Sequence, residues 1–288
     1  MTPDDLGFYA TPGPMTTFAE PPHPPADVEE ACRISRNLIV HEFLADRYGV
    51  GHAELDRRRE EVESRSAAEM VAVVRRLGPH AFTEPRPPGG RMIGNCRHFT
   101  VFTVALLRAA GIPARARAGF AGYLGEGWSD HWVAERWDAA SGRWLRTDAQ
   151  LDDTQLKLFG LDLDPLDLPD GAFLSGAEAW QRCRSGQDDP RRFGLAELRG
   201  AWFVAGNVVR DLAALNKVEL LPWDTWGMID LTLGETEDRR TALVDEIAVA
   251  VVAGDVGRWR RLYERAEVRV PRTVRSHRYQ REVHLTTV

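Results

Sequence analysis

Apolar positions recur with a helical period in the first and last thirds of the chain. Between residues 26 and 77, the pairs Ile34–Leu38 and Met70–Val74 stand four residues apart among further apolar residues, which is the spacing of one helix face. The same period returns in three later stretches, at 196–217, 237–253 and 255–266. The pattern therefore predicts helices towards both ends of the sequence.

The middle of the chain places one apolar helix before three strands. The apolar run after Cys96 ends at Gly111 and Pro113, a helix C-cap followed by a residue that cannot continue the helix. Three strand-like segments follow, "ARARAGFAGYL" (114–124), "HWVAERWD" (131–138) and "RWLRTDAQ" (143–150). The last two are joined by "AASG", a four-residue hairpin loop. Helices, then adjacent strands, then helices again predict an α+β fold.

Prolines and other loop-forming residues indicate the predicted domain organisation. Seven prolines within residues 1–25 predict an extended N-terminal arm without a helix, and the sequence from 153 to 194 is rich in loop signals. Residues 26–288 contain no obvious linker, so we expect a single domain there. Its two predicted parts are a core at about 90–152 and a helical C-terminal extension at 196–266.

Composition excludes several classes of protein. The 288 residues carry a formal net charge of −6, which does not favour binding to nucleic acid or anionic membranes. The start has neither the basic nor the apolar region of a secretion signal, and no apolar run is long enough to span a membrane. Three distant cysteines imply no disulfide framework. We therefore expect a cytoplasmic protein.

The C-terminal 31 residues leave two interpretations open. They hold nine arginines against three acidic residues, which is typical of a nucleic-acid-binding tail. The segment "AEVRVPRTVRSHRYQREVHL" also alternates valine with charge, which indicates an edge strand whose arginines pair with an acidic body. We favour the strand and expect no nucleic-acid partner.

Cys96 stands at the predicted start of the apolar helix. Unpaired N–H groups and the helix dipole place partial positive charge there, which favours a thiolate and can also bind an oxyanion. Position alone does not separate such a nucleophile from an inert buried cysteine. Cys32 and Cys183 have no close partner and are expected to be core or surface residues.

A thiolate nucleophile needs a base, and His131 is the best placed of the eight histidines. It begins a strand directly after a glycine-rich loop, whereas His98 lies only two residues from Cys96 on the helix and faces elsewhere. If "AASG" is the hairpin loop, paired residue numbers sum to 281, and Val133 faces Asp148. His131 and Asp148 then lie diagonally on one face, while Asp130 points to the other.

These segments resemble the bacterial transglutaminase-like superfamily of papain-type Cys-His-Asp enzymes. "GNCRHFTVFTVALLRAAGIPARARAGF" followed by "DHWVAERWDAASGRWLRTDAQ" has that family's motifs in order, with close similarity over residues 92–150. The resemblance implies a nucleophile helix packed on an antiparallel sheet, with flanking helices added. It also implies a Cys96 nucleophile, a His131 base and an Asp148 that orients the base.

The implied reaction passes through a thioester acyl-enzyme formed on an amide or peptide substrate. Water as acceptor gives an amidase or peptidase, and an amine acceptor gives transamidation. We expect the Cys96 backbone N–H to be one oxyanion donor. Further substrate or oxyanion contacts are expected from four side chains, those of Asn95, Trp128, Trp132 and Trp223. Trp223 belongs to "LLPWDTWGMID" (220–230), for which a purely structural aromatic plug is the other interpretation.

Two other functions are less consistent with the sequence. A zinc site at Cys96, His98 and His131 lacks the usual ligand number and spacing, so we expect neither metal nor cofactor. A catalytically idle scaffold that binds a peptide or protein in the cleft is the main alternative. Three intact triad positions argue against it, because simple binding does not require them.

Overall fold

The computed structural model describes residues 2–20, 22–229 and 238–286. The predicted arm and domain also include residues 1, 21, 230–237 and 287–288, which lie outside the described residues. The chain divides into two compact units, Met1–Ala116 with Val133–Leu168, and Arg117–Trp132 with Pro169–Val288. The sequence predicted one domain over 26–288. Helical and strand periodicity carries no information on whether that region divides into two compact units.

The first unit consists mainly of helices around short strands. Its helices are α1 (Pro3–Tyr9), α2 (Val28–Leu38), α3 (His52–Arg57), α4 (Ala67–Arg76), α5 (Cys96–Ala109) and α6 (Asp153–Phe159). Its strands are β1 (Ile39–His41), β2 (Met92–Gly94), parts of β3 (Ala114–Ala121) and β4 (Trp128–Asp138), and β5 (Arg143–Thr147). β1 and β2 form a parallel pair, and β4 and β5 an antiparallel one. α5 packs against α2 and α4.

Helix α5 has the apolar character and the termination that the sequence predicts. Every residue from Cys96 to Arg108 is buried. At its end the Ile112 N–H donates to the Leu107 carbonyl at 2.9 Å and the Gly111 N–H to the Arg108 carbonyl at 3.0 Å. Gly111 has a φ of 73°, so the helix closes with a Schellman motif that glycine adopts without strain. The predicted stop at Gly111 is confirmed.

The hairpin of β4 and β5 has the predicted register. Its pairs run from Asp138 opposite Arg143 to Ala134 opposite Thr147, and each pair of numbers sums to 281. The four residues between the strands are the predicted "AASG" loop. Glu135, 2% exposed, lies on this hairpin between Arg115 at 2.6 Å and Arg146 at 3.2 Å, so its buried charge is compensated.

The second unit combines a helix cluster with a mixed sheet and a C-terminal hairpin. It contains β6 (Phe173–Ser175), α7 (Gly176–Arg184), β7 (Phe193–Leu195), β8 (Leu198–Arg199), α8 (Ala201–Leu215), β9 (Asp224–Thr225), α9 (Asp238–Val252), α10 (Val256–Tyr263), β10 (Thr273–Ser276) and β11 (Arg281–His284). The sheet order is β6-β3-β4-β7-β8, and β11-β10-β9 forms a second sheet. The three helices predicted in this region are confirmed. The C-terminal segment, predicted as one edge strand, instead forms the two antiparallel strands β10 and β11.

An ion pair anchors β3 to α8 inside the second unit. Asp211, on α8, receives Arg117 Nε at 2.8 Å and Nη2 at 2.7 Å, and its Oδ1 also accepts the Ala118 N–H at 3.1 Å. Both charged side chains are at most 6% exposed. This bidentate geometry satisfies a buried carboxylate that would otherwise be costly.

Two sequence predictions are wrong in detail. The arm contains helix α1 because Pro3 occupies the first turn, where its missing N–H costs nothing, and Thr2 and Asp5 form a capping box. The region predicted as loop-rich contains α6 and α7. Both have side-chain N-caps, Asp152 for α6 and Ser175 for α7, so the local capping signal was present.

Gly94 is required by close packing between β1 and α5. A Cβ at this position would lie 2.8 Å from Ile39 Cγ2 and 3.1 Å from His98 Cβ. We expect Gly94→Ala to lower the free energy of unfolding by about 1–3 kcal/mol, because the displaced groups are themselves packed. Urea unfolding measures this change. Gly7→Ala, on α1 with no atom within 4 Å of the added Cβ, is the control and should cause no loss of stability.

Candidate functional site

Cys96 is the first residue of α5, directly after a side-chain capping motif. The N-cap residue Asn95 accepts the Arg97 N–H on Oδ1 at 3.2 Å. His98 Nδ1 accepts the Asn95 N–H at 3.1 Å and lies 2.9 Å from Asn95 Oδ1. This is a capping box in which histidine takes the place of the usual glutamate. The cap therefore fixes the backbone on both sides of Cys96.

The cap leaves the backbone N–H of Cys96 unused. The Arg97 N–H is bound to Asn95 Oδ1 and the His98 N–H to the Asn95 carbonyl at 2.9 Å. Among the described residues, no acceptor is found for the Cys96 N–H. Cys96 is 8% exposed. A donor at a helix start with no internal acceptor is the kind of group that stabilises an oxyanion.

His98 and Arg97 hold the helix start to the preceding chain. Arg97, 0% exposed, donates from Nη1 to the Ser64 carbonyl at 3.2 Å and from Nη2 to the Arg65 carbonyl. His98 is also 0% exposed and acts through the cap. His98 therefore has a hydrogen-bonding role at the start of the helix.

His131 lies in the second unit, within β4. It is 2% exposed, and the ring of Tyr123 meets it edge-on with centroids 6.1 Å apart. The neighbouring Asp130 accepts Asn207 Nδ2 on Oδ1 at 2.7 Å. Burial raises the pKa of Asp130, whereas this hydrogen bond and the charges of Arg210 and His131 lower it. Tyr123, in the glycine-rich loop before β4, is a contact of His131 that the sequence argument did not identify.

Asp148 lies in the first unit, directly after β5, and is 1% exposed. Its N–H donates to the Pro165 carbonyl at 2.8 Å, and its Oδ1 accepts the Gln150 N–H at 3.1 Å. Burial raises the pKa of the Cys32 thiol to about 12, and the negative charge of Asp148 adds to this rise. Cys96 and Asp148 thus belong to the first unit and His131 to the second.

The three candidate tryptophans of the second unit have different environments. Trp128 stacks on Phe193 with ring centroids 5.6 Å apart and lies under Arg182 at 5.3 Å. Trp132 is 1% exposed. Trp223 lies under the Arg278 guanidinium at 4.8 Å. The role of all three rings in substrate binding stays a prediction.

The remaining chemistry of the described residues is sparse. No group of three or more histidine, cysteine, aspartate or glutamate side chains there is arranged to hold a metal ion. Burial raises the pKa of Cys183 to about 11, with Asp188 and Asp189 adding to the rise. None of the described helices has the length and apolar composition needed to cross a bilayer.

Comparison with known families identifies the region around Cys96. Residues 59–149 match the family model of the transglutaminase-like superfamily. The match runs from before α4 to just beyond β5 and includes Cys96, His131 and Asp148. No curated protein and no solved structure matches the chain significantly. The resemblance seen in the sequence is therefore confirmed at the level of the superfamily.

The buried His98 predicts a pH dependence of stability. Burial, followed by the charges of Arg97 and His41, lowers the pKa of His98 well below its usual value. Below about pH 6.5 the histidine of the unfolded chain binds a proton, whereas buried His98 in the folded chain stays neutral. The contribution of His98 to the free energy of unfolding is therefore fully present above about pH 6.5 and is lost as the pH falls. The loss is up to about 1.4 kcal/mol per pH unit.

Urea unfolding of wild type and His98→Gln between pH 7 and pH 5 measures this effect. Glutamine can complete the capping box but does not titrate, so the variant should lose less stability over this interval. Parallel stability curves for the two proteins would contradict the assignment.

Proposed function

We propose that this chain, which carries a transglutaminase-like domain over residues 59–149, is a cysteine-dependent amide- or peptide-bond hydrolase or acyltransferase. In this proposal Cys96 is the nucleophile, His131 the general acid and base, and Asp148 the residue that orients His131. The position of Cys96 carries the proposal: it is the first residue of a capped helix and its N–H has no acceptor among the described residues.

Strand geometry supports the roles of His131 and Asp148. Alternate residues of a strand share a face, so His131 and Val133 of β4 project to the same side. The paired residue numbers of β4 and β5 sum to 281 from Asp138–Arg143 to Ala134–Thr147. We propose that the same register continues by one residue, which would bring Val133 opposite Asp148. A carboxylate in that position is suited to accept a hydrogen bond from the imidazole and to stabilise its protonated form.

The proposed reaction has two halves. The Cys96 thiolate attacks the carbonyl carbon of the substrate, and the C–N bond breaks as protonated His131 gives its proton to the leaving amine. Neutral His131 then takes a proton from water or from an acceptor amine, which attacks the thioester and releases Cys96. Water yields a carboxylic acid, and an amine yields a new amide.

Oxyanion stabilisation is proposed to come mainly from the backbone. The Cys96 N–H is the first donor. Asn95 uses Oδ1 for the cap, so its Nδ2 is the group we propose as second donor. Trp128, Trp132 and Trp223 remain proposed contacts for the substrate.

A non-catalytic scaffold that binds a peptide or protein is the second candidate function. The low exposure of Cys96, His131 and Asp148, between 1% and 8%, is the observation that favours it. The reactivity of the thiol separates the two functions, because a binding surface does not require an activated cysteine.

Alkylation with iodoacetamide at pH 7 tests the nucleophile. The internal references are Cys183, whose pKa burial raises to about 11, and Cys32, which is 0% exposed with a pKa of about 12. We expect Cys96 to label at least about ten times faster than either, with peptide mass spectrometry locating the adduct. Cys96→Ala removes the fast phase. Equal rates at Cys96 and Cys183 would favour the scaffold.

Asp148→Asn tests the orienting carboxylate. The substitution keeps the shape but loses the charge that stabilises protonated His131, so we expect kcat/KM to fall by about 10²–10⁴. The substrate is the amide that first yields a Cys96 acyl adduct by intact-mass measurement, with and without an added amine.

Asp130→Asn is the matched control for Asp148→Asn. Asp130 accepts a hydrogen bond from Asn207, which an amide oxygen also accepts, so the control should cost little activity. A large loss in the control together with full activity of Asp148→Asn would show that the proposed strand register and triad are wrong.

A further inference from the structure

Phe43 is the most exposed large apolar side chain among the described residues. It is 63% exposed, whereas the other five large apolar side chains with high exposure lie between 41% and 48%. It stands in a 3₁₀ helix, Glu42–Tyr48, that follows β1 in the first unit. Single exposed apolar residues are common, so the position of Phe43 decides its meaning.

Phe43 leaves the β1–β2 ladder at the same edge as Cys96. The two strands are parallel and pair His41 with Gly94 at their last position. Phe43 follows His41 by two residues, and Cys96 follows Gly94 by two residues. Parallel neighbours lie about 4.8 Å apart, and their carboxyl ends meet at one edge. The 3₁₀ helix also contacts β2 directly. The backbones of Phe43 and Cys96 therefore leave the two strands at the same edge of the ladder.

His41 holds Phe43 in place despite its exposure. The Phe43 N–H donates to His41 Nδ1 at 3.2 Å, and the two rings are 5.5 Å apart. His41 itself is only 8% exposed. At the other end of the 3₁₀ helix, Gly49 has a φ of 81° and its N–H donates to the Asp46 carbonyl. Phe43 is thus an exposed ring on an anchored backbone, which favours binding because little order is lost on contact.

We propose that Phe43 is a specificity-determining residue that contacts an apolar side chain of the acyl donor next to the carbonyl attacked by Cys96. The inference rests on the proposed function, since it assigns a substrate preference to that nucleophile. An aromatic or branched aliphatic group covers the ring and removes apolar surface from water. Amide substrates with such a group beside the scissile bond are the expected class.

Two alkylating reagents with the same reactive iodoacetamide group test this contact. Iodoacetamide and N-benzyl iodoacetamide differ only by the benzyl group, so the ratio of their Cys96 labelling rates reports binding of an aromatic group beside the thiol. In Phe43→Ala we expect this ratio to fall about three- to ten-fold, with the iodoacetamide rate unchanged. Phe43→Tyr keeps the ring and should keep the ratio.

Val249→Ala is the control for loss of an exposed apolar side chain. Val249 is 48% exposed on α9 in the second unit, and its removal should leave the ratio unchanged.

Circular dichroism and thermal unfolding of Phe43→Ala should match wild type, since the ring is mostly exposed.

The possible outcomes distinguish the inference from the function beneath it. Selective iodoacetamide labelling of Cys96 with an unchanged reagent ratio in Phe43→Ala overturns the inference alone. An equal fall with both reagents also overturns it, because it shows a general effect on the thiol. Loss of Cys96 selectivity in wild type overturns the proposed function and the inference together. A falling ratio that Phe43→Tyr restores supports the contact.

Discussion

The capped start of α5 is the arrangement on which the candidate site depends. Asn95 accepts the Arg97 N–H on its side chain and the His98 N–H on its carbonyl. The His98 side chain accepts the N–H of Asn95 in return. The first N–H of the helix, that of Cys96, is left over by this pattern. A capping box with these acceptors thus binds the neighbouring N–H groups and leaves the Cys96 N–H without an acceptor among the described residues.

The surroundings of the cap show why its geometry is maintained. Gly94 lets Ile39 of β1 and His98 of α5 approach closer than any side chain would allow. The buried Arg97 guanidinium donates hydrogen bonds to the Ser64 and Arg65 carbonyls. These bonds connect the helix start to the chain before α4. A buried cation of this kind is tolerated only when such acceptors surround it. Packing and hydrogen bonding therefore act on the same turn.

The parts that the sequence predicted are those with strong local signals. The apolar period and Gly111 predicted α5, and the alternation around "AASG" predicted both strands and their register. Helices α1, α6 and α7 were missed because they span only seven to nine residues, too few for periodicity to outweigh proline and loop residues. Their N-cap residues Thr2, Asp152 and Ser175 are nevertheless present in the sequence.

The same distinction applies to the candidate site. Cys96, His131 and Asp148 could be proposed from the sequence because motif order and hairpin parity are properties of sequence, and the superfamily match covers the region that contains them. Phe43 was not found, because β1 and β2 are three residues each and their parallel pairing joins segments about 50 residues apart. No periodicity marks such a contact. The position of Phe43 relative to Cys96 can be inferred only when the strand register and the exposure of each residue are both known. The position of Cys96 at a helix start, in contrast, can be inferred from the neighbouring sequence alone.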